Sequence, residues 1–177
     1  MKVAVFCSAN NAIDPDFFTM TEGLGRRLAR EGHTVVFGGC NIGLMESVAK
    51  ATAEAGGTTV GVVPSIIEKG GRMSEHVSVH IPCDSLDERK SLMVEQSDVC
   101  IALPGGIGTL DEVFTVMAAA SIGYHRKRVV FYNMKGFWNP LLAMLDQMKA
   151  TGVIRPGFDE TMAVADSLDE VMQLLAD

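Results

Sequence analysis

The chain has 177 residues, enough for one domain with a sizeable core. Hydrophobic residues make up 47% of it and charged residues 21%, a globular balance without a disordered tail. The net charge of −7 argues against a nucleic-acid polymer as partner, because a phosphate backbone needs a basic face.

The opening MKVAVFCSANN predicts a first strand over Lys2 to Cys7, then a polar turn, Ser8-Ala9-Asn10-Asn11. The apolar part of this start is too short for a signal peptide, and no apolar run approaches the roughly 18 residues of a membrane span. Asp16 to Arg30 reads as a helix, with Phe17, Met20, Leu24 and Leu28 on one face and Gly32 as its stop. His33 to Phe37 is a second strand. A glycine turn follows, Gly38-Gly39-Cys40-Asn41-Ile42-Gly43, and then a helix from about Leu44 to Ala55. Thr58 to Val63 is a third strand, ended by Pro64. Residues 64–76 look least regular, and Glu68-Lys69-Gly70-Gly71-Arg72 has the composition of a mobile loop. Val77 to Ile81 is a short strand. Ser85 and Glu88 form a capping box for the helix that carries Arg89, Lys90, Leu92 and Met93.

Val99 to Leu103 is a buried strand, which Pro104 stops. Gly105-Gly106-Ile107-Gly108 makes a side-chain-poor turn, and Thr109 starts a helix that runs to about Ile122. Glycines let backbone N–H groups face a ligand, and a helix N-terminus adds unpaired donors, so a phosphate fits there. The turn lacks the Lys-Ser/Thr ending of a Walker loop and the spacing of a G-x-G-x-x-G fingerprint. Thr109-Leu110-Asp111-Glu112 also matches a T-x-x-E capping box, in which Glu112 would only bond the Thr109 amide. Beyond it, Val113, Phe114, Val116, Met117, Ala118, Ala119 and Ala120 make the helix apolar nearly all round, which means burial on more than one side: a homodimer is expected, and a buried central helix of a monomer would look the same. Arg128 to Tyr132 is a strand. Asn139-Pro140 opens a helix with Leu141, Leu145 and Met148 on its apolar face. Thr161 to Val164 is a last strand, and Ser167 to Leu175 a last helix with a Ser167–Glu170 box.

Strands and helices alternate throughout, which implies a doubly wound, mainly parallel α/β sheet with helices on both faces, one domain over 1–177. In such sheets ligands bind beyond the carboxyl ends of the strands, where the turns at Ser8, Gly38 and Pro104 all lie. Cys7, Cys40, Cys83 and Cys100 show no C-x-x-C spacing, which argues against zinc, and a reducing cytoplasm suits them. Cys7 and Cys100 sit in apolar runs and read as core thiols. His33, His76, His80 and His125 show no metal-ligand spacing. No G-x-S-x-G elbow is present, which argues against a serine hydrolase. Arg89 and Lys90 lie near a helix start, either as a solvated face offset by Asp84, Asp87 and Glu88 or as an anion clamp.

Four segments carry a resemblance. PGGIGTLDE, 104–112, is similar to the PGGxGTxxE signature of the LOG family, the cytokinin riboside 5′-monophosphate phosphoribohydrolases often labelled lysine decarboxylases. Val5-Phe6-Cys7-Ser8 resembles the family's first strand and turn, VFGGCNIGLME its GGG-x-x-GLM segment, and Asp87-Glu88-Arg89-Lys90 with Met93 its RK-x-x-M segment. The resemblance implies a Rossmann-like sheet, a homodimer and hydrolysis of the N-glycosidic bond of a nucleoside 5′-monophosphate, without a cofactor. It implies that Arg89 and Glu112 are the catalytic pair and that Lys90 binds substrate. Gly105, Gly106, Ile107, Gly108 and Thr109 would hold the 5′-phosphate, and Ser8 and Gly39 would line the substrate. This chain has Asp111 for the first glutamate of the frequent GT-x-EE ending, and Cys40 for a third glycine. An ungapped alignment puts Gly71 where the family often has a substrate-binding glutamate, and Glu68 would replace it only if the loop shifted. Ala118 stands for a family threonine, and an alanine for a nearby tryptophan. The identity of the base is therefore open. Pyridoxal phosphate chemistry needs a Schiff-base lysine in a dedicated site, which the pattern does not show. The alternative is a non-enzymatic nucleotide or molybdenum-cofactor carrier on the same fold. The presence of both Arg89 and Glu112 favours the enzyme.

Overall fold

The computed structural model describes residues 1–176. Seven strands form one sheet: β1 Lys2–Phe6, β2 Thr34–Phe37, β3 Thr58–Pro64, β4 Val79–Cys83, β5 Val99–Ala102, β6 Val129–Tyr132 and β7 Met162–Ala165. Their spatial order is β4-β3-β2-β1-β5-β6-β7, and every pairing is parallel. The helices are α1 Pro15–Arg30, α2 Gly43–Glu54, α3 Ser65–Lys69, α4 Leu86–Glu95, α5 Ile107–Ser121, α6 Asn139–Ala150 and α7 Leu168–Ala176. The expected doubly wound α/β architecture is thus present.

Strand alternation divides the core into two layers. Val3, Val5 and Cys7 of β1 and its extension pack with Leu24, Leu28, Leu44, Val48 and Val171 of α1, α2 and α7. Ala4 and Phe6 face the other way, onto Met93, Val113, Val116 and Trp138 of α4, α5 and the segment before α6. All four cysteines are buried and free, as core thiols would be. Among the described residues no helix is long and apolar enough to cross a membrane.

The chain winds outward from β1 to β4, then returns to start β5 on the other side of β1. This places a topological switch point between β1 and β5, where a crevice opens beyond the strand ends. Two backbone bonds close its floor: Leu103 N–H donates to the Phe6 carbonyl at 2.9 Å, and Ser8 N–H to the Pro104 carbonyl at 3.1 Å.

Three expectations change. Residues 64–76 are not a loop without structure: α3 occupies Ser65–Lys69, and residues 72–74 are pinned to the β2–α2 turn. Asn41 N–H donates to the Arg72 carbonyl, Ser74 N–H donates to the Gly39 carbonyl, and Cys40 bridges Met73. Pairing across sequence distance supplies the order that the local composition lacks. The fourth strand lies two residues later than Val77–Ile81. Ser78 is taken up by Thr59, whose carbonyl and hydroxyl both accept from its N–H, and Pro82 is accommodated because β4 is an edge. Finally, α5 begins at Ile107, not Thr109, and Gly106 takes the N-cap position.

Candidate active site

The earlier start of α5 decides what Glu112 does. Thr109 is the third residue of the helix rather than its cap, and Glu112 lies in the second turn, too far along to bond the cap amides. Thr109 is buried, and so is Glu112, at 5% exposure. The carboxylate meets the guanidinium of Arg89, with Nη1 3.4 Å from Oε1. Burial pushes the Glu112 pKa up to about 7; Arg89 and Lys90 oppose the rise, and Asp111 adds to it. At neutral pH Glu112 therefore sits near the midpoint of its titration, which suits a group that must stabilise positive charge or handle a proton.

Arg89 reaches this position because Gly38 has no side chain. A Cβ built on Gly38 would lie 1.5 Å from Arg89 Nη2 and 2.6 Å from Cζ. Nη2 also touches Met45 Sδ at 4.0 Å, and among the described residues the buried Nε has no hydrogen-bond partner. Cys7 lies below the pair; burial raises its thiol pKa, and the Glu112 charge raises it further.

Lys90 is not a free cation. Its ammonium contacts both carboxylate oxygens of Asp111 at 3.0 Å and Asp87 Oδ1 at 3.2 Å. These bonds raise its pKa, with Asp111 the largest cause.

The first amides of α5 have no intrahelical acceptor, and Gly106 as N-cap makes no side-chain bond to them. Leu110 N–H is the first to close onto the turn, at the Gly106 carbonyl. Side chains at Gly106 and Gly108 would meet nothing within 4 Å, so this face of the turn is open. Gly105 is tight instead: a Cβ there would lie 2.1 Å from Thr109 Oγ1. Ile107, beside them, is 83% exposed. Ser8 carries the floor through its backbone, accepting from Leu44 N–H at 2.9 Å and donating to Pro104. Gly39, with φ of +74°, faces β3, where a Cβ would strike Val63 Cγ2 at 2.4 Å. It shapes the turn, and its neighbour Gly38 makes room for Arg89. Glu68 pairs at 3.9 Å with His80 on the edge strand.

A family model described as possible lysine decarboxylase matches residues 45–175. The chain is 34% identical over 170 residues to the cytokinin riboside 5′-monophosphate phosphoribohydrolase of Rhodococcoides fascians, covering 95% of this chain and 85% of that one. It is 33% identical over 174 residues to the enzyme of the same name from Mycobacterium tuberculosis, covering 98% and 92%. The chain belongs to the LOG family. Among solved structures it is similar to the molybdenum cofactor carrier protein MCP of Chlamydomonas reinhardtii, with TM-score 0.75, 26% identity and coverage of 99% and 98%.

In this LOG chain the RK segment and the PGGxGT turn meet at the switch point, and Arg89 and Glu112 touch. Gly38 and Asp111 are the residues that sequence reasoning passed over as site members. The doubled glycine at 38 and 39 carried the signal for the first. The acidic pair 111–112 facing the basic pair 89–90 carried it for the second.

Proposed function

We propose that this LOG-family protein hydrolyses the N-glycosidic bond of nucleoside 5′-monophosphates, cytokinin-type or ordinary purine, to the free base and ribose 5-phosphate. One observation carries the reading: a buried carboxylate–guanidinium pair lies one helical turn beyond an open, amide-lined helix start. The amides of Gly106, Ile107, Gly108 and Thr109 take the 5′-phosphate, with Gly105 giving Thr109 its space. The sugar then lies along the first turns of α5. As the bond to the base breaks, positive charge develops at C1′, and ionised Glu112 stabilises it and orients the attacking water. Water bonds to C1′ as the C1′–N bond breaks, and the proton that the water gives up leaves with the base, with no redox step. Arg89 opposes the burial that raises the Glu112 pKa and so favours its ionised form. The decarboxylase description fits poorly: a Schiff-base lysine needs a lowered pKa, and the Lys90 pKa is raised.

The likeness to MCP supports a second reading, a carrier of molybdenum cofactor or nucleotide. A carrier needs an anion site but has no use for a buried carboxylate beside it. We further place the protein in the cytoplasm, which the four free thiols support, and propose that it works as a homodimer.

Glu112→Gln decides between the readings. The amide keeps the shape and loses the charge. Release of base should fall roughly 100-fold or more, while monophosphate binding is retained. Wild-type protein that binds monophosphates without releasing base would establish the carrier. Full turnover in Glu112→Gln would remove Glu112 from the mechanism.

A further inference from the structure

The half of α4 that bears Arg89 is not held by apolar packing. Met93 is the one fully buried residue of the helix, and Leu92 and Val94, which pack beside it, also lie in the last turns. Leu86 is 64% exposed, and Asp87 and Glu88 are exposed. The first turn has its own cap: Glu88 N–H donates to Ser85 Oγ, and Asp84 N–H to Glu88 Oε2. These bonds form the turn, and Ser65 Oγ, within hydrogen-bond distance of Asp84 Oδ1 and the Cys83 carbonyl, ties the residues just before it to α3 but not to α5.

What registers its Arg89 face on α5 is a ladder of charges. Consecutive cations of α4 meet consecutive carboxylates of α5 in reverse order, Arg89 with Glu112 and Lys90 with Asp111. The inner rung is buried. The outer rung is half-exposed, with the Asp111 side chain 52% accessible and that of Lys90 16%. Asp87 also touches Lys90, but it lies on α4 itself and cannot register one helix on the other.

We propose that Asp111 is a positioning residue, which through Lys90 fixes the register of α4 on α5 and thereby places Arg89 over Glu112. The proposal rests on the hydrolase reading for its link to turnover, but not for its geometry. An exposed pair of this kind adds little to stability. Its effect is on position, and a displacement of about 1 Å at a reacting group can cost roughly 100-fold in rate.

Two variants at this one residue separate position from charge. Asp111→Asn keeps an oxygen that accepts from the Lys90 ammonium, so the strut survives without its charge. Asp111→Ala removes both. The charged groups around Glu112 are Arg89 and Lys90 from α4 and Asp111 on its own helix; the thiols of Cys7 and Cys100 below it have raised pKa values and are neutral. Arg89 acts on Glu112 more strongly than Asp111 does. Losing the Asp111 charge alone therefore lowers the Glu112 midpoint, whereas losing Arg89 as well raises it.

The experiment is carboxyl ¹³C NMR of the full chain against pH, with the Glu112 resonance assigned by its loss in Glu112→Gln, alongside steady-state hydrolysis of adenosine 5′-monophosphate. We expect the midpoint to fall below about 7 in Asp111→Asn with kcat largely kept. In Asp111→Ala we expect it to rise above about 7 with kcat down roughly 10- to 100-fold and KM little changed. Asp111→Ser, too short to reach Lys90, should follow Asp111→Ala. Asp111→Glu should restore kcat, and Asp87→Ala should leave both readouts unchanged. A midpoint that falls in Asp111→Ala, as it does in Asp111→Asn, overturns the proposal. A lower KM with unchanged kcat in Asp111→Ala also overturns it, because Lys90 would then be a released phosphate ligand. Wild-type protein without turnover would count against the hydrolase reading, and the opposed NMR shifts would still decide the ladder.

Discussion

A guanidinium cannot be placed beside a buried carboxylate unless something small stands behind it. Gly38 is that residue, and its φ is not in the left-handed region, so alanine is strained there by contact rather than by backbone. Gly38→Ala should drive Arg89 out of the crevice and reduce hydrolysis to the level of Arg89→Ala, with the double variant no worse than either single one. Stability should fall by no more than about 2 kcal/mol, because the displaced atoms end a flexible chain. Additive losses would show that Gly38 acts on something other than Arg89. The raised pKa of Glu112 gives a second outcome at this scale. Its folded value is about 7 against an ordinary 4.5, so between these pH values the native state binds the proton and the unfolded chain does not. The stabilisation is complete below about pH 4.5 and is lost as pH rises through 7. Glu112→Gln has no such loss, so its melting temperature relative to wild type should increase from pH 5 to pH 8. A constant difference would mean that Glu112 titrates normally. The motifs singled out this residue pair, and the structure brings the two together, but their setting was not legible. Sequence shows Arg89 and Glu112 in separate segments and cannot show that Gly38 sits behind one of them.

Elements read well wherever one local pattern determined them. The apolar runs gave six of the seven strands to within one residue and the fourth to within two, and the boxes at Ser85 and Ser167 recur as real caps, with the Ser oxygens accepting from Glu88 and Glu170 N–H. Two local readings failed because tertiary structure overrode them. The T-x-x-E pattern at Thr109 satisfies the rule for a cap, but glycine allows the helix to start before it, and Gly106 takes the cap. That shift of two residues turns Glu112 from a structural residue into an inward-facing acid. The segment around Glu68 carries helix-breaking glycines, yet a short helix runs up to Gly70, and Arg72 and Ser74 beyond it are pinned far away in sequence, to Asn41 and Gly39. Local composition contains neither fact. The same limitation applies to α4, whose capping box is plain in the sequence while the ladder that docks it is visible only once α5 lies alongside.

At the scale of the whole molecule, the helix that organises the site also leaves an unsolved surface. The sequence makes α5 apolar nearly all round, yet the protomer buries only Thr109, Glu112, Val113, Val116 and Met117. Ala118 is exposed, and Ile122 and Val153, 61% and 69% exposed, line with it a groove of about 900 Å³. Exposed apolar area of this kind fits the proposed dimer interface, and a helix shared with the proposed site would let dimer formation and turnover reinforce each other. A second copy covering α5 across a two-fold axis would place each Ala118 near its counterpart, where a charge meets its own kind. Ala118→Glu should therefore give monomers in sedimentation velocity at micromolar concentration, where the wild type is expected to sediment as a dimer. The charge would stay on the outer face of α5, so the fold should survive, and circular dichroism checks this. Wild-type protein that sediments only as a monomer would leave the exposed α5 face without a partner copy. A dimer that persists in Ala118→Glu would move the interface elsewhere. Should activity fall with dissociation and return at high protein concentration, the site would depend on the pair rather than on the protomer alone.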